Sequence, residues 1–313
     1  MYPTRSLDRP WYRGNPRARA VLASLFALLA AALPVSAGTL DQIKSLGKLK
    51  LGYRSDARPF SYRDESGNAA GYSVALCQRI AEQVKAELGL SALAVEWVPV
   101  TLEGRFQDVQ QGRIDLLCGA DTETLARRKE VAFSIPIFPG GIGAMLRADA
   151  PAGLRDILAG RPLSRPLWRG SPAEILNQRT FSVVKGTTAE RWLAGRIDTF
   201  RITATVAPVE SYEVGVRRVL DRNSDVFFGD RAILLDAATH SSSAGDLIVL
   251  DRDFTHEPVA LALERNDDDL RLMVDRTLSQ LFRSSEFRGL YAKWFGPPNE
   301  AALTFFQLSA LPE

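Results

Sequence analysis

Two blocks of the sequence each alternate short apolar runs with amphipathic runs, and this alternation limits the fold more than any other feature. The first block predicts strands at 48–53, 94–100 and 114–118 and helices at 74–88 and 106–111. The second predicts strands at 181–184, 201–206 and 225–229 and helices at 189–195, 214–220 and 232–238. Strands that alternate with helices form mainly parallel sheets with helices on both faces. The sequence therefore predicts an α/β protein with two units of similar size.

The segments around the second block are less regular. A group of prolines and glycines at 136–141 predicts a crossover between the two units. A stretch rich in proline and arginine at 161–170 predicts a surface insertion, which we place at about 152–172. The end of the chain is helical and amphipathic, but its periodicity does not decide which unit it packs against.

The first 37 residues differ in composition from the rest. Five arginines precede or open an apolar run at 20–34, which ends in Val35-Ser36-Ala37. This pattern is typical of a secretory signal peptide, with cleavage predicted after Ala37. A membrane anchor is the alternative, but a run of about 15 residues is shorter than the roughly 20 that a bilayer requires.

Charge and motif content exclude several functions. The chain carries a formal charge of +2, of which residues 1–37 contribute +4, so the mature chain carries −2. We therefore expect no nucleic-acid or anionic-membrane partner. His240 and His256 are the only histidines, and they lack metal-ligand spacing. No nucleophile-elbow or phosphate-binding glycine pattern is present, so we expect no metal and no cofactor.

The chain has two cysteines, Cys77 and Cys118, and both lie in the part predicted to be exported. In an oxidising compartment such a pair can form a disulfide. Two buried thiols that pack as small apolar side chains are the alternative. The spacing alone leaves both open.

Polar side chains follow several predicted strands, where open α/β sheets bind ligands. Arg127 comes after the strand that ends at Cys118, in the first turn of a helix that Thr124 can cap, and a cation there favours an anionic ligand. An exposed Arg127 that pairs with Glu123 is the alternative.

Three further positions follow the same rule. Thr187 and Thr188 begin a helix after Gly186, which predicts either an anion site or only a capping box with Glu190. Asp230 follows a buried strand and can accept hydrogen bonds from an ammonium group or cap the next helix. Arg54 and Arg105 each come just after a strand of the first unit.

The chain resembles the extracellular solute-binding proteins of polar amino-acid ABC transporters from about residue 51 to residue 295. The resemblance rests on Pro-Phe-Ser-Tyr at 59–62, Gly-Tyr-Ser at 71–73, Gly-Arg-Ile-Asp-Leu at 112–116, Val-Ala-Phe-Ser at 131–134, Lys-Gly-Thr-Thr at 185–188 and Lys-Trp-Phe-Gly at 293–296. It implies the type II periplasmic-binding-protein fold, with two α/β lobes joined by two crossing strands. Lobe 1 would comprise 38–136 and 257–313, and lobe 2 would comprise 137–256. Cysteines at equivalent positions in family members favour the disulfide.

The resemblance also implies roles for individual residues. Arg127, with Ala120 and Thr122 beside it, corresponds to the arginine that pairs with the α-carboxylate of an amino acid. Thr187 and Thr188 correspond to the helix start of lobe 2 that meets a carboxylate, and Asp230 corresponds to the acid that holds the α-ammonium.

Within the family, the chain is most similar to glutamate/aspartate-binding proteins. Arg54 and Arg105 fall where those proteins place arginines near the side-chain carboxylate of the ligand. Ala57 and Leu102 replace aromatic residues that are common in binders of cationic ligands. Two departures are Ala120, where serine is frequent, and Asp121, which adds a negative charge.

The resemblance therefore implies a monomeric, non-enzymatic periplasmic protein that captures an amino acid, glutamate or aspartate, by hinge closure and passes it to an ABC permease in the inner membrane. Two alternatives share this fold. One is an exported enzyme similar to cyclohexadienyl dehydratase, with Glu103 or Asp121 as a general acid. The other is a ligand-binding partner of a sensor.

Overall fold

A computed structural model describes residues 38–162 and 172–312, so the predicted leader and the centre of the predicted insertion lie outside the described residues. The α-helices of the described part are α1 Thr39–Leu46, α2 Tyr72–Glu87, α3 Arg105–Gln110, α4 Ala152–Ala159, α5 Thr188–Phe200, α6 Tyr212–Leu220, α7 Arg231–His240, α8 Asp268–Arg283, α9 Glu286–Phe295 and α10 Glu300–Ser309. None of these helices has the length and apolar character needed to cross a membrane.

The strands belong to three sheets. They are β1 Lys48–Arg54, β2 Asp56–Ala57, β3 Ser61–Arg63, β4 Ala69–Ala70, β5 Ala94–Val100, β6 Leu116–Thr122, β7 Ala132–Phe133, β8 Phe138–Gly140, β9 Ile142–Arg147, β10 Thr180–Val184, β11 Thr205–Val209, β12 Val226–Asp230, β13 Leu247–Val249 and β14 Glu257–Leu263. Two larger sheets form the framework, and β2, β3 and β4 form a small separate sheet.

The first large sheet has the order β5-β1-β6-β14-β7, and β8 also pairs with β14. Its strands β5, β1 and β6 are parallel, whereas β14 runs antiparallel to β6. Apolar side chains of α2 and of the C-terminal helices α8, α9 and α10 share one buried cluster with this sheet. A smaller cluster that includes Phe106 and Val109 of α3 covers the opposite face. The C-terminal helices therefore pack against the first sheet.

The second large sheet has the order β11-β10-β12-β9-β13. The β10 strand is parallel to β11 and β12, while β9 is antiparallel to β12 and β13. Buried residues of α4 and α5 pack on one face, and those of α6 and α7 pack on the other. Each large sheet is thus covered on both sides, as the alternating pattern predicts.

Two neighbouring chain segments connect the two large sheets, one from β8 to β9 and one from β13 to β14. The β8 strand pairs antiparallel with β14, with Gly140 opposite Glu257, just before the chain enters β9 of the second sheet. The α7 helix also contacts the first unit. Its Ile233 joins the cluster of the first sheet, and the Asp236 carboxylate lies 3.1 Å from Nε of Arg58.

Several elements differ from the sequence prediction. The β6 strand continues through Gly119 to Thr122. The α5 helix extends to Phe200, where Arg201 ends it in the left-handed conformation (φ 50°), so the next strand begins only at Thr205. Part of the predicted insertion is the helix α4, whose Leu154 and Leu158 are buried. A single 3₁₀ turn at Arg127–Lys129 replaces the predicted helix after Thr124.

Cys77 and Cys118 form a disulfide, as the family resemblance favoured. The bond joins α2 to β6 inside the first apolar cluster. It closes a loop with a sequence separation of 41 residues. Because β6 ends among the predicted ligand-binding residues, the disulfide fixes the strand that positions them.

We expect removal of this bond to destabilise the mature protein without abolishing its fold. A loop of this length predicts a loss of about 3–4 kcal/mol in the free energy of unfolding, because the reduced unfolded chain has more conformations. Urea unfolding of the Cys77→Ala/Cys118→Ala variant would measure it. The same variant with reductant is the control, and only the wild-type protein should respond to reductant. Equal stability of the oxidised wild type and the variant would contradict the expectation.

Candidate functional site

A cavity lies between the two large sheets, where β1, β6 and β12 end and β14 begins. All the residues that the sequence predicts to bind ligand line it: Arg54, Arg105, Ala120, Thr122, Arg127, Thr187, Thr188 and Asp230. Ala57 and Leu102 line it as well, and so do Asp121, Tyr212 and Glu257. The structure therefore brings residues from distant parts of the chain together, and their role in ligand binding stays a prediction.

Arg127 is buried in the wall of the cavity, with 7% of its surface exposed. Its Nη1 donates a hydrogen bond to the Thr122 carbonyl oxygen (2.7 Å), and Thr124 Oγ1 accepts from its backbone N–H. Glu123 pairs with Arg128 instead (2.8 Å). Burial, together with the nearby Arg105, lowers the pKa of Arg127 to about 10. No carboxylate among the described residues forms an ion pair with this guanidinium, so it can accept an anionic partner.

The other two arginines of the cavity already have carboxylate partners. Nη2 of Arg54 lies 2.6 Å from Oδ1 of Asp56, whose side chain is 40% exposed. Nε of Arg105 pairs with Oδ1 of Asp121, and both side chains are almost fully buried. Because burying an unpaired charge costs several kcal/mol, these partners explain how the site can hold two of its three guanidinium groups.

Asp230 ends β12 and serves as the N-cap of α7. Its Oδ1 accepts hydrogen bonds from the backbone N–H groups of Ala232 (2.9 Å) and Ile233 (3.2 Å). Loss of solvent, with a smaller contribution from the neighbouring carboxylates of Glu257 and Asp253, raises the pKa of Asp230 to about 7. A cation placed beside this carboxyl group would favour its ionised form. Capping and ammonium binding are therefore compatible, because the cap uses only one oxygen.

The start of α5 forms another part of the cavity wall on the side of the second unit. Thr187 is the N-cap, its Oγ1 accepts from the N–H of Glu190 (3.3 Å), and the Glu190 carboxylate accepts from the N–H of Gly186 (2.7 Å). The Thr187 bond is one half of the capping box that the spacing predicts, whereas Glu190 accepts from the residue before the N-cap rather than from the N-cap itself. The Thr188 hydroxyl donates to Oε2 of Glu257 (2.7 Å). A carboxylate of the protein itself thus lies at this helix N-terminus, where first-turn N–H groups and the helix dipole favour negative charge.

The cavity carries balanced charge. Its described lining contains three arginines and the carboxyl groups of Asp121, Asp230 and Glu257. The sequence pointed to Asp121 only as a departure from the family and as a candidate general acid, not as a partner of Arg105. It missed Glu257, although this residue lies at the predicted boundary between lobe 2 and the return to lobe 1. It also missed Asp56, two residues after Arg54 and therefore on the same side of the extended chain.

Metal binding finds no support in the described part of the chain. Within 38–162 and 172–312, no group of three or more histidine, cysteine, aspartate or glutamate side chains has an arrangement that could hold a metal ion. His240 lies in the last turn of α7, and its Nε2 is 3.0 Å from Nη2 of Arg58.

Residues 49–297 match the model of the bacterial extracellular solute-binding proteins, family 3. The match covers most of the chain, and the chain therefore belongs to this family.

Individual relatives share about a quarter of their residues with this chain. The L-glutamate/L-aspartate-binding protein of Pseudomonas aeruginosa is 28% identical over 83% of this chain and 81% of that protein. The glutamate/aspartate import solute-binding protein of Escherichia coli is 26% identical over 85% and 82%, respectively. Among solved structures, an ancestral amino acid-binding protein, a precursor of cyclohexadienyl dehydratase, aligns with a TM-score of 0.66 and 26% identity, over 83% of this chain and all of that one. The predicted type II periplasmic-binding-protein fold is confirmed.

Asp230 gives a pH-dependent contribution to stability in the ligand-free protein. Its pKa is about 7 in the folded state and 3.8 ordinarily, so the folded protein holds this proton more tightly. The stabilising contribution is complete below about pH 4 and is lost as the pH rises through about 7. We therefore expect the unfolding free energy of the wild type to fall across this range relative to Asp230→Asn, by at most about 1.4 kcal/mol per pH unit.

Urea unfolding at several pH values would measure this difference. The asparagine keeps an oxygen that can cap α7, so the comparison isolates the charge. Asp198→Asn, at an exposed position of α5, is the control and should follow the wild type. An Asp230→Asn variant whose stability runs parallel to the wild type from pH 4 to pH 8 would show that Asp230 titrates normally.

Proposed function

We propose that this protein binds an amino acid between its two lobes and passes it to an ABC permease, without catalysing a reaction. The observation that carries the proposal is Arg127, a buried guanidinium in the cavity wall that has no carboxylate partner among the described residues. A planar guanidinium binds a carboxylate through two parallel hydrogen bonds, which is the geometry that an α-carboxylate offers. Binding is favourable because the α-carboxylate gives the buried Arg127 guanidinium an anionic partner.

The other polar side chains of the cavity suit the remaining polar groups of an amino-acid zwitterion, including its α-ammonium group. Asp230 uses one carboxylate oxygen to cap α7, which leaves the second to accept from the α-ammonium. Thr122 adds a hydroxyl at the end of β6, and Thr187 and Thr188 contribute the N-terminus of α5 from the opposite lobe. Because these groups belong to different lobes, a ligand that touches both stabilises the closed arrangement.

We propose glutamate or aspartate as the ligand. Relatives with 26–28% identity are glutamate/aspartate-binding proteins. Arg54 and Arg105 are available near the side chain, and Ala57 and Leu102 offer no aromatic rings for a cationic ligand. The partners Asp56 and Asp121 reduce the positive charge of Arg54 and Arg105. The proposed preference for an acidic side chain therefore rests on the positions of these arginines as well as on their charge.

The proposed setting is the periplasm. The leader at 1–37 would direct export and be removed after Ala37, and the mature protein would act as a monomer with a permease of the inner membrane. The disulfide suits this compartment, because such bonds persist where thiols are oxidised.

Dehydratase activity is the competing function, because one structural relative is a precursor of such an enzyme. Neither acid that the sequence suggested for catalysis is well placed. Glu103 is exposed and does not line the cavity, and Asp121 is paired with Arg105. We therefore favour binding without catalysis, and consumption of prephenate by the purified protein would refute it.

Isothermal titration of the ligand-stripped protein against the twenty amino acids tests the proposal directly. Tight binding of glutamate or aspartate would support it. Tight binding of lysine or histidine, with no heat from the acidic amino acids, would refute the acidic preference. If none of the twenty binds, the proposed function itself is wrong.

Replacement of Arg127 should weaken every amino-acid ligand. Arg127→Met keeps much of the buried apolar stem but removes both hydrogen bonds to the carboxylate, so we expect at least about a 100-fold loss of affinity. The loss should be similar for all amino acids, since all carry the same α-carboxylate. Titration calorimetry would measure it. Arg128→Met is the matched control, because the adjacent Arg128 side chain is exposed and pairs with Glu123. Equal affinities of the two variants would rule out the role of Arg127.

Replacement of Arg54 should act selectively. Because its partner Asp56 is partly exposed, Arg54→Met leaves a carboxylate that water can solvate, and the fold should tolerate the change. We expect glutamate affinity to fall about tenfold or more while alanine affinity changes less. Arg63→Met, an arginine of β3 that bonds to the Tyr53 hydroxyl, is the control. An equal loss for both ligands would contradict contact between Arg54 and the ligand side chain.

A further inference from the structure

The Asp121 carboxylate has one oxygen without a partner. The residue is 2% exposed, its Oδ1 pairs with Arg105, and its Oδ2 is buried without any hydrogen-bond partner among the described residues. A buried acceptor without a hydrogen-bond partner destabilises the protein, and more so when it is charged. Since Asp121 lines the cavity, a ligand that donates a hydrogen bond there would relieve this cost.

The other charged groups of the cavity are already assigned by the proposed function or by internal contacts. Arg127 is left for the α-carboxylate and Asp230 for the α-ammonium, while Glu257 accepts from the Thr188 hydroxyl. The Arg105–Asp121 pair therefore remains to meet the ligand side chain, together with Arg54. This pair offers two kinds of hydrogen bond, since the guanidinium donates and Oδ2 accepts.

We infer that the Arg105–Asp121 pair is a side-chain subsite that accepts a primary amide as well as a carboxylate, an inference that rests on the proposed amino-acid binding. The carbonyl oxygen of a side-chain amide accepts hydrogen bonds from guanidinium N–H groups. The NH₂ group of the same amide donates a hydrogen bond to Oδ2 of Asp121. A carboxylate satisfies the guanidinium groups but leaves Oδ2 unpaired and adds a like charge beside it. Asp121 thus determines specificity, because it offsets the advantage that the arginines give to acidic ligands.

The test compares glutamine with glutamate, which differ only in the group that meets this subsite. On the wild-type protein we expect titration calorimetry to give dissociation constants within about tenfold of each other. In Asp121→Asn the negative charge is gone and Arg105 is free to pair with the ligand, so the preference for glutamate should increase at least about tenfold.

The ratio of the two affinities separates recognition from a structural role. If Asp121 only supports the fold, the variant will weaken both ligands by the same factor and leave the ratio unchanged, which overturns the inference. Asp275→Asn is the matched control. This carboxylate of the first unit lies outside the cavity and accepts from the backbone N–H of Ile135 (2.8 Å), so its loss should not change the ratio.

The wild-type measurement keeps the inference testable even if the variant does not fold. Binding of glutamate with no measurable binding of glutamine overturns the inference and leaves the proposed function intact. Failure of every amino acid to bind overturns both.

Discussion

The burial of three guanidinium groups around one cavity is the constraint on which the centre of this protein depends. Each would cost several kcal/mol if it were left unpaired in the interior. The chain supplies Asp56 to Arg54 and Asp121 to Arg105, but no described carboxylate forms an ion pair with Arg127. The Arg127 guanidinium therefore gains most from an anionic ligand. In the proposed function, the ligand supplies the partner that the folded chain does not give to Arg127.

Rigid elements hold these groups in position. The β1 and β6 strands end at the cavity as neighbours in the first sheet, and the disulfide ties β6 to α2 beneath it. From the second unit, the N-termini of α5 and α7 reach the same cavity with side chains that cap their own helices. Capping fixes the orientation of Thr187 and Asp230 before any ligand arrives, so little conformational freedom remains to be lost on binding.

The sequence predicted most of the strands and helices, because apolar periodicity is a local property. It predicted the residues of the cavity through the family resemblance and the rule that ligands bind at strand ends. It ended β6 at Cys118, whereas the strand continues through Gly119, where a side chain would collide with the Asp121 carboxylate. It placed β11 at 201–206, whereas the strand is Thr205–Val209 at the edge of the sheet, where the missing N–H of Pro208 is tolerated. The pairings of Arg105 with Asp121 and of Thr188 with Glu257 could not be predicted, because they join residues that only the folded chain brings together.

The balance of charge in the cavity also bears on how fast a ligand is captured. The field of opposite charges that share one cavity falls off steeply with distance, and salt screens what remains beyond about one Debye length, roughly 8 Å at physiological ionic strength. An approaching zwitterion or anion therefore meets only a weak field until it reaches the mouth of the cleft. Electrostatic steering, which speeds association where one sign of charge dominates, contributes little. In the proposed function, the rate of capture therefore depends little on steering and should vary little with the salt content of the surroundings.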